Sequence, residues 1–225
     1  MIRYLGDIGV TIYMMKYILL TLVAASAVLA SCAPRSEGPG PAGSAAAAVT
    51  APAPAPAAGA AVVQPVTASE LRERLGAAGL AVPKEPLDAQ SFELPSLAGG
   101  AVKLSDYLGR VVFLNFWATW CPPCRDEMPS MERLHKLLGG RGLEIVAVDL
   151  QEPKATVQKF VKDNSLTFTV LLDARGAVGG AWGAQSIPTT YLIDRKGRIL
   201  ARAVGGRQWD SADMVALLEA VLAAE

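Results

Sequence analysis

The feature that most limits how this chain can fold is an apolar run at 111–117, followed within four residues by Trp120-Cys121-Pro122-Pro123-Cys124. Apart from Asn115 the run is apolar and rich in β-branched residues, which is typical of a central strand covered on both faces. A helical pattern then extends to Leu138, where Gly139-Gly140 is expected to end it. Two cysteines therefore fall where a buried strand passes into a helix.

Strand and helix patterns alternate on both sides of this motif. A hairpin comes first, then strands separated by helices, then a second hairpin and a final amphipathic helix. This order predicts an α/β domain in which helices flank a central mixed β-sheet. The predicted strands lie at 92–94, 101–104, 111–117, 143–150, 168–172, 191–194 and 199–204, and the predicted helices run from the cysteines to Leu138 and over 156–162, 174–182 and 211–224.

The first 32 residues have the layout of a secretory signal. Lys16 precedes an apolar run at 17–30, which is shorter than the roughly 20 apolar residues that a membrane-spanning helix needs. Residues 1–13 fit this layout poorly. Our hypothesis is that translation starts at Met14 or Met15, which would put Lys16 directly behind the initiator.

The apolar run ends at Leu29-Ala30-Ser31-Cys32, which resembles the lipobox of bacterial lipoproteins. The resemblance implies that Cys32 is lipidated and becomes the first mature residue, so that the protein is anchored to a bacterial membrane. The alternative is ordinary cleavage near Ala30, which would release a soluble secreted protein. Both readings predict an extracytoplasmic domain, on the periplasmic side in a Gram-negative cell.

A linker is expected over 33–86. Its first part, to residue 66, is dominated by Ala, Pro and Gly and has almost no large apolar groups to offset the entropy of ordering. A short amphipathic helix is predicted near 69–80, with Ser69 as its cap. The folded domain is expected at 87–225.

The charge balance argues against nucleic acid as a partner. The chain has 21 Lys and Arg residues and 21 Asp and Glu residues. A phosphate backbone is bound through clusters of basic side chains, and no such cluster occurs here.

Two cysteines separated by two residues can close a small disulfide ring. At the start of a helix the first sulfur lies beside unpaired N–H groups, which favour the thiolate that attacks disulfides. The alternatives are a structural disulfide and half of a zinc site. Zinc is disfavoured because His135 is the only histidine and Cys32 belongs to the signal segment, so Cys and His cannot supply four ligands.

The stretch 113–129, together with 143–149 and 187–194, resembles the TlpA/ResA-like, membrane-tethered branch of the thioredoxin superfamily. The resemblance covers about residues 87–223. It implies the thioredoxin fold, with an N-terminal hairpin and an inserted helix-strand element at about 153–172. It also implies a thiol:disulfide oxidoreductase.

Several site residues are carried over from this resemblance. Pro188 is expected to be cis and to face the disulfide, with the backbone of Ile187 pairing with an extended substrate. Glu127 is expected to be a partly buried acid or base that exchanges protons with Cys124, because Asn115 stands where thioredoxin has a buried Asp and cannot do this. The other residues expected around the substrate are Trp120, Pro122 and Pro123; Trp117 is expected only to pack, and His135 not to be catalytic.

In the expected reaction, Cys121 attacks a partner disulfide and Cys124 resolves the mixed disulfide. The resemblance implies disulfide-containing exported substrates, either apocytochrome c or copper-assembly proteins, and a membrane carrier that restores the dithiol. We expect a monomer, with no organic cofactor and no metal. A dithiol oxidase, a non-enzymatic copper-binding module and a peroxidase of the peroxiredoxin kind are the alternatives.

Overall fold

The computed structural model describes residues 66–224 of the chain. The signal segment, Cys32 and the linker up to residue 65 lie outside the described residues. The helices are α1 (Ala68–Ala77), α2 (Pro122–Leu138), α3 (Lys154–Asp163), α4 (Ala177–Ala181) and α5 (Ala212–Ala224). The strands are β1 (Leu87–Asp88), β2 (Glu93–Pro95), β3 (Ala101–Lys103), β4 (Val111–Trp117), β5 (Leu143–Leu150), β6 (Thr169–Asp173), β7 (Thr189–Ile193) and β8 (Arg198–Val204).

Within residues 66–224, six strands form one mixed sheet in the order β1-β8-β7-β4-β5-β6. Strands β4, β5 and β6 run parallel, whereas β7 pairs antiparallel with both β4 and β8, and β1 pairs antiparallel with β8. The β2-β3 hairpin is separate from this sheet. The predicted α/β class, with a mixed sheet, an N-terminal hairpin and an inserted helix-strand element (α3 and β6), is confirmed.

Strand β4 is apolar except at Asn115, because both of its faces are covered. Phe113 and Trp117 belong to a core with side chains from α1, α2, α3 and α5, whereas Leu114 and Phe116 belong to a second core with the hairpin and Trp182. All seven residues of β4 are buried. The end of this strand is therefore held rigidly, directly before the two cysteines.

The end of α2 differs slightly from the prediction. Gly139 keeps a right-handed helical backbone, and a 3₁₀ turn continues over Gly139–Arg141. The chain leaves this conformation at Gly142, whose φ is 103°. Lacking Cβ, Gly139 and Gly140 allow a helix to end without requiring it, whereas the positive φ of Gly142 does end it.

Helix α1 belongs to the folded domain, although the sequence placed it within the linker. Its N-cap is Thr67, whose hydroxyl accepts from the backbone N–H of Glu70, and not the predicted Ser69. Leu71 and Leu75 are buried in the same core as α5. The last part of the expected 33–86 linker thus completes the domain core. None of the helices among the described residues is long and apolar enough to span a membrane.

We expect Leu75→Ala to destabilise the whole domain. Leu75 is 1% exposed, and removing a buried leucine side chain costs about 2–5 kcal/mol. Arg74→Ala is the matched control, because it removes only the exposed ion pair with Glu70, worth below about 1 kcal/mol. Urea unfolding measures both; equal midpoints for the two variants would show that α1 does not fold with the domain.

Candidate active site

The two cysteines form a disulfide at the N-terminus of α2. Cys121 is the N-cap residue and Cys124 lies in the first turn, with an S–S distance of 2.12 Å. Both are buried, at 3% and 0% exposed, whereas Trp120 is 66% exposed. The predicted rim position of Trp120 and the buried position of Trp117 agree with this structure.

The prolines between the cysteines limit the donors available to Cys121. The backbone N–H of Cys124 donates to Cys121 Sγ at 3.3 Å, and that of Arg125 donates to the Cys121 carbonyl oxygen at 3.1 Å. Pro122 and Pro123 have no N–H group. Although the helix dipole favours a thiolate at this position, the first turn gives the sulfur one backbone donor.

The peptide bond between Ile187 and Pro188 is cis, as the family resemblance implied. Cys121 Sγ lies 3.7 Å from the carbonyl oxygen of Ile187. Strand β7 begins directly after this bond, at Thr189. The fold thus brings residues 66 positions apart together at the disulfide.

A groove lies beside the cis peptide bond, next to the exposed Trp120. Small residues line it, among them Gly179 and Gly180 of α4, and its polar side chains are uncharged amides. An extended segment of another protein could lie here without meeting a fixed charge. The lining residues are Trp120, Leu150, Gln151, Gly176, Gly179, Gly180, Ala184, Gln185 and Ile187.

Glu127 is 1% exposed, and three donors converge on its carboxyl group. Asn115 Nδ2 donates to Oε1 at 2.9 Å, and Trp209 Nε1 and the backbone N–H of Arg207 donate to Oε2 at 2.9 and 3.2 Å. Burial raises the pKa of Glu127, while these hydrogen bonds lower it in part. A carboxyl that holds its proton more tightly than usual therefore lies one helical turn beyond Cys124.

Asn115 is fully buried on β4 and links Glu127 to the strand that follows the cis peptide bond. Its Nδ2 also donates to Thr190 Oγ1 at 3.0 Å. Its own carbonyl oxygen has no partner. Asn115 is therefore an orienting group that cannot itself take up a proton.

Trp209 and the backbone of Arg207 were not predicted from the sequence. They lie after β8, about 80 residues from Glu127 in the chain. Gly206 lies so close to the motif that an added Cβ would come within 2.8 Å of the Pro123 carbonyl oxygen. The only signal in the sequence was the unexplained Gly205-Gly206 pair before a lone tryptophan.

Other candidates lie away from the disulfide or are absent. His135 lies about three turns of α2 beyond Cys124, is partly buried and packs edge-on against Phe168, so it is remote from the disulfide. Among residues 66–224, no three His, Cys, Asp or Glu side chains are grouped as ligands for a metal ion.

The model of the AhpC/TSA family matches residues 87–202, which is more than half of the chain. The chain therefore belongs to the AhpC/TSA family and has the thioredoxin fold. Within it, the chain is ResA-like. The thiol-disulfide oxidoreductase ResA of Geobacillus thermodenitrificans is 45% identical over 111 residues, or 49% of this chain and 64% of that protein. The ResA of Halalkalibacterium halodurans is 43% identical over 118 residues, or 52% and 67%.

Solved structures agree with this assignment. A Chlorobium tepidum protein assigned as a thiol:disulfide interchange protein DsbE superposes with a TM-score of 0.57 at 37% identity, over 62% of this chain and 98% of that one. A secreted thiol-disulfide isomerase from Corynebacterium glutamicum gives 0.57 at 25% identity, over 65% and 92%. The chain spans about 64% of the length of the first ResA relatives.

The raised pKa of Glu127 predicts how stability changes with pH. The folded protein binds this proton more tightly than the unfolded chain, so the contribution of Glu127 is fully present below about pH 4.5 and is lost as pH rises through the folded pKa. The free energy of unfolding of the wild type minus that of Glu127→Gln should therefore fall as pH rises. Urea unfolding between pH 4.5 and 8 measures it; a difference that stays constant or rises would contradict it.

Two tryptophan variants sharpen this test. Trp209→Phe removes a donor that favours the charged carboxylate, so the fall should move to higher pH. Trp182→Phe is the control, since Trp182 Nε1 has no hydrogen-bond partner to lose.

Proposed function

We propose that this protein is an extracytoplasmic thiol:disulfide oxidoreductase that reduces disulfides in partner proteins through Cys121 and Cys124. The observation that carries the proposal is the disulfide at the N-cap of α2, beside the cis Ile187-Pro188 bond. The ResA relatives and the disulfide interchange proteins of similar structure support the same chemistry.

The reaction begins with the reduced protein. The Cys121 thiolate attacks one sulfur of the partner disulfide; that bond breaks, a mixed disulfide forms and the other partner sulfur leaves as a thiolate that takes a proton. Cys124 loses its proton and attacks Cys121 Sγ. The partner leaves as a dithiol that has gained two electrons and two protons, and the protein is left oxidised, with a Cys121–Cys124 disulfide.

Glu127 is proposed to take up the proton of Cys124. It follows Cys124 by three residues on α2, so both side chains share one helix face. Its carboxyl is shielded from water and has a raised pKa, which brings it closer to that of a thiol. The three donors around it hold the carboxyl in one orientation in either charge state.

The substrate is proposed to bind as an extended segment across Ile187 and Pro188. The partner disulfide would then approach Cys121 from the side of the exposed Trp120, and Pro122 and Pro123 would form the opposite rim. Since Cys121 is only 3% exposed, this segment must come close to the Ile187 backbone to reach its sulfur.

The surroundings of Cys121 support the reductive direction. One backbone donor in the first turn reaches its sulfur, because Pro122 and Pro123 have no N–H group. A shortage of donors disfavours the thiolate, and a less stable reduced form makes a dithiol a stronger reductant. We therefore infer a reductase and not an oxidase.

Export and anchoring complete the proposal. Cleavage before a lipidated Cys32 would tether the domain outside the cytoplasm, on the periplasmic side of a Gram-negative cell. Suitable partners are exported proteins with cysteine pairs, such as apocytochrome c or copper-assembly proteins. A membrane thiol-disulfide carrier would return the electrons, so that no organic cofactor is needed.

The direction is tested by equilibrating the purified protein with glutathione and then with dithiothreitol. We expect a potential below about −260 mV, lower than that of glutathione. Pro123→Ala restores an N–H that can reach an N-cap sulfur and should raise the potential by about 20–30 mV, the equivalent of one hydrogen bond. Pro122→Ala restores an N–H too early in the turn to reach the sulfur and is the matched control. A potential near that of DsbA, about −120 mV, would indicate an oxidase.

The order of attack is tested with serine variants. Cys124→Ser should accumulate a mixed disulfide with a peptide that contains a disulfide, because nothing resolves it. Cys121→Ser should accumulate none, since Cys124 is fully buried. Mass spectrometry under non-reducing conditions distinguishes them, and trapping by Cys121→Ser alone would reverse the assigned roles.

A further inference from the structure

Asp149 is a buried carboxyl group that the proposed reaction does not use. It lies near the end of β5, in register with Trp117 of β4, and is 1% exposed. No well-formed hydrogen bond reaches either of its oxygens. A buried carboxylate in that position is strongly disfavoured, so the protonated acid is the form that suits it.

Glu152 follows Asp149 by three residues and is bound at Thr119, two residues beyond Trp117, the register partner of Asp149. Its Oε2 accepts from the backbone N–H of Thr119 at 2.5 Å, and its Oε1 accepts from Thr119 Oγ1 at 2.6 Å. Both of its oxygens thus hold the segment just before Cys121. The backbone N–H of Cys121 in turn donates to Ala118 O at 3.2 Å, which closes this turn.

The other groups around Asp149 compensate a negative charge there only in part. Burial, followed by the neighbouring Glu152 carboxyl, raises the pKa of Asp149 to about 8; the backbone N–H of Glu152 lowers it in part, and Asp173 on β6 raises it further. Asp173 already accepts from the backbone N–H groups of Ala177 and Gly179. Strand β4 presents the uncharged Trp117, whose ring packs on Phe160 of α3.

We propose that Asp149 is a positioning residue: as a neutral acid it donates its proton to Glu152, which keeps the Glu152 carboxylate on Thr119 and so fixes the segment that carries Trp120 and Cys121. Loss of that proton places two carboxylates side by side. Glu152 then moves away from Asp149, and its hydrogen bonds to Thr119 weaken. The position of the segment that carries Cys121 therefore depends on the protonation of Asp149, in addition to that of the cysteines and Glu127.

The proton and the contact with Thr119 can be tested without any turnover. In an NMR titration of the oxidised full chain, the Asp149 carboxyl carbon should titrate with a midpoint near pH 8, and the Thr119 amide should shift with the same midpoint. In Asp149→Asn, whose amide donates at every pH, the Thr119 amide should not shift there. Asp163→Asn is the control, because Asp163 is exposed and pairs with Lys159. An Asp149 carboxyl already ionised at pH 6, or a Thr119 amide that ignores its titration, overturns the proposal.

The consequence for the reaction rests on the proposed function and is measured separately. The rate at which the reduced protein reduces a disulfide peptide should be about fivefold lower in the wild type than in Asp149→Asn above pH 9, and equal below pH 7. Asp163→Asn should follow the wild type. If no variant reduces the peptide, the proposed function fails while the NMR result still decides the role of Asp149. If the peptide is reduced but the two pH profiles coincide, the positioning role is wrong.

Discussion

The hydrogen bonds that converge on the Glu127 carboxyl hold the site together. They join α2, which carries both cysteines, to β4 through Asn115 and to the segment after β8 through Trp209 and the Arg207 backbone. A single acid thereby fixes three separate parts of the chain around the disulfide. Because every partner is a donor, the network favours the charged form while burial opposes it, and the raised pKa of Glu127 shows that burial prevails.

The disulfide is held from its other side by the ends of two parallel strands. Thr119 follows β4, Glu152 follows β5, and their hydrogen bonds fix the turn that leads into α2. Parallel strands place their carboxyl ends at one edge of a sheet, so residues 33 positions apart meet there. The position of Cys121 thus depends on two acids, one on each side, and neither needs to touch the sulfur.

Much of this could be predicted from local patterns. The bounds of β4 and β5 and the end of α2 at Leu138 followed from uninterrupted apolar runs and helical spacing, since burial on both faces leaves a strong signal. Helix α1 was correctly expected to be amphipathic, but its packing on α5 is a long-range contact that no local pattern encodes. The cis bond before Pro188 came from family resemblance alone.

The residues of the site fall into two groups: those that local spacing makes visible in the sequence, and those that only the tertiary fold brings together. Cys121, Cys124 and Glu127 lie within seven residues, and their helical spacing makes them visible as a group. Trp209, Thr190 and Glu152 reach the site only through the tertiary fold. A lone tryptophan or glutamate in a loop, or a threonine in a buried strand, has many equivalent interpretations, so the neighbouring sequence did not reveal their roles.

The prolines beside Cys121 have one clear effect on its chemistry. Because they withhold backbone donors, they raise the free energy of the thiolate. A less stable thiolate is less abundant at neutral pH, yet each one is a stronger nucleophile, because nucleophilicity rises with thiol pKa. In the proposed reductive reaction, this combination sacrifices little attack rate while it shifts the equilibrium towards the oxidised protein. A protein that passes electrons to its partners needs that combination, whereas one that withdraws electrons would need donors on Cys121.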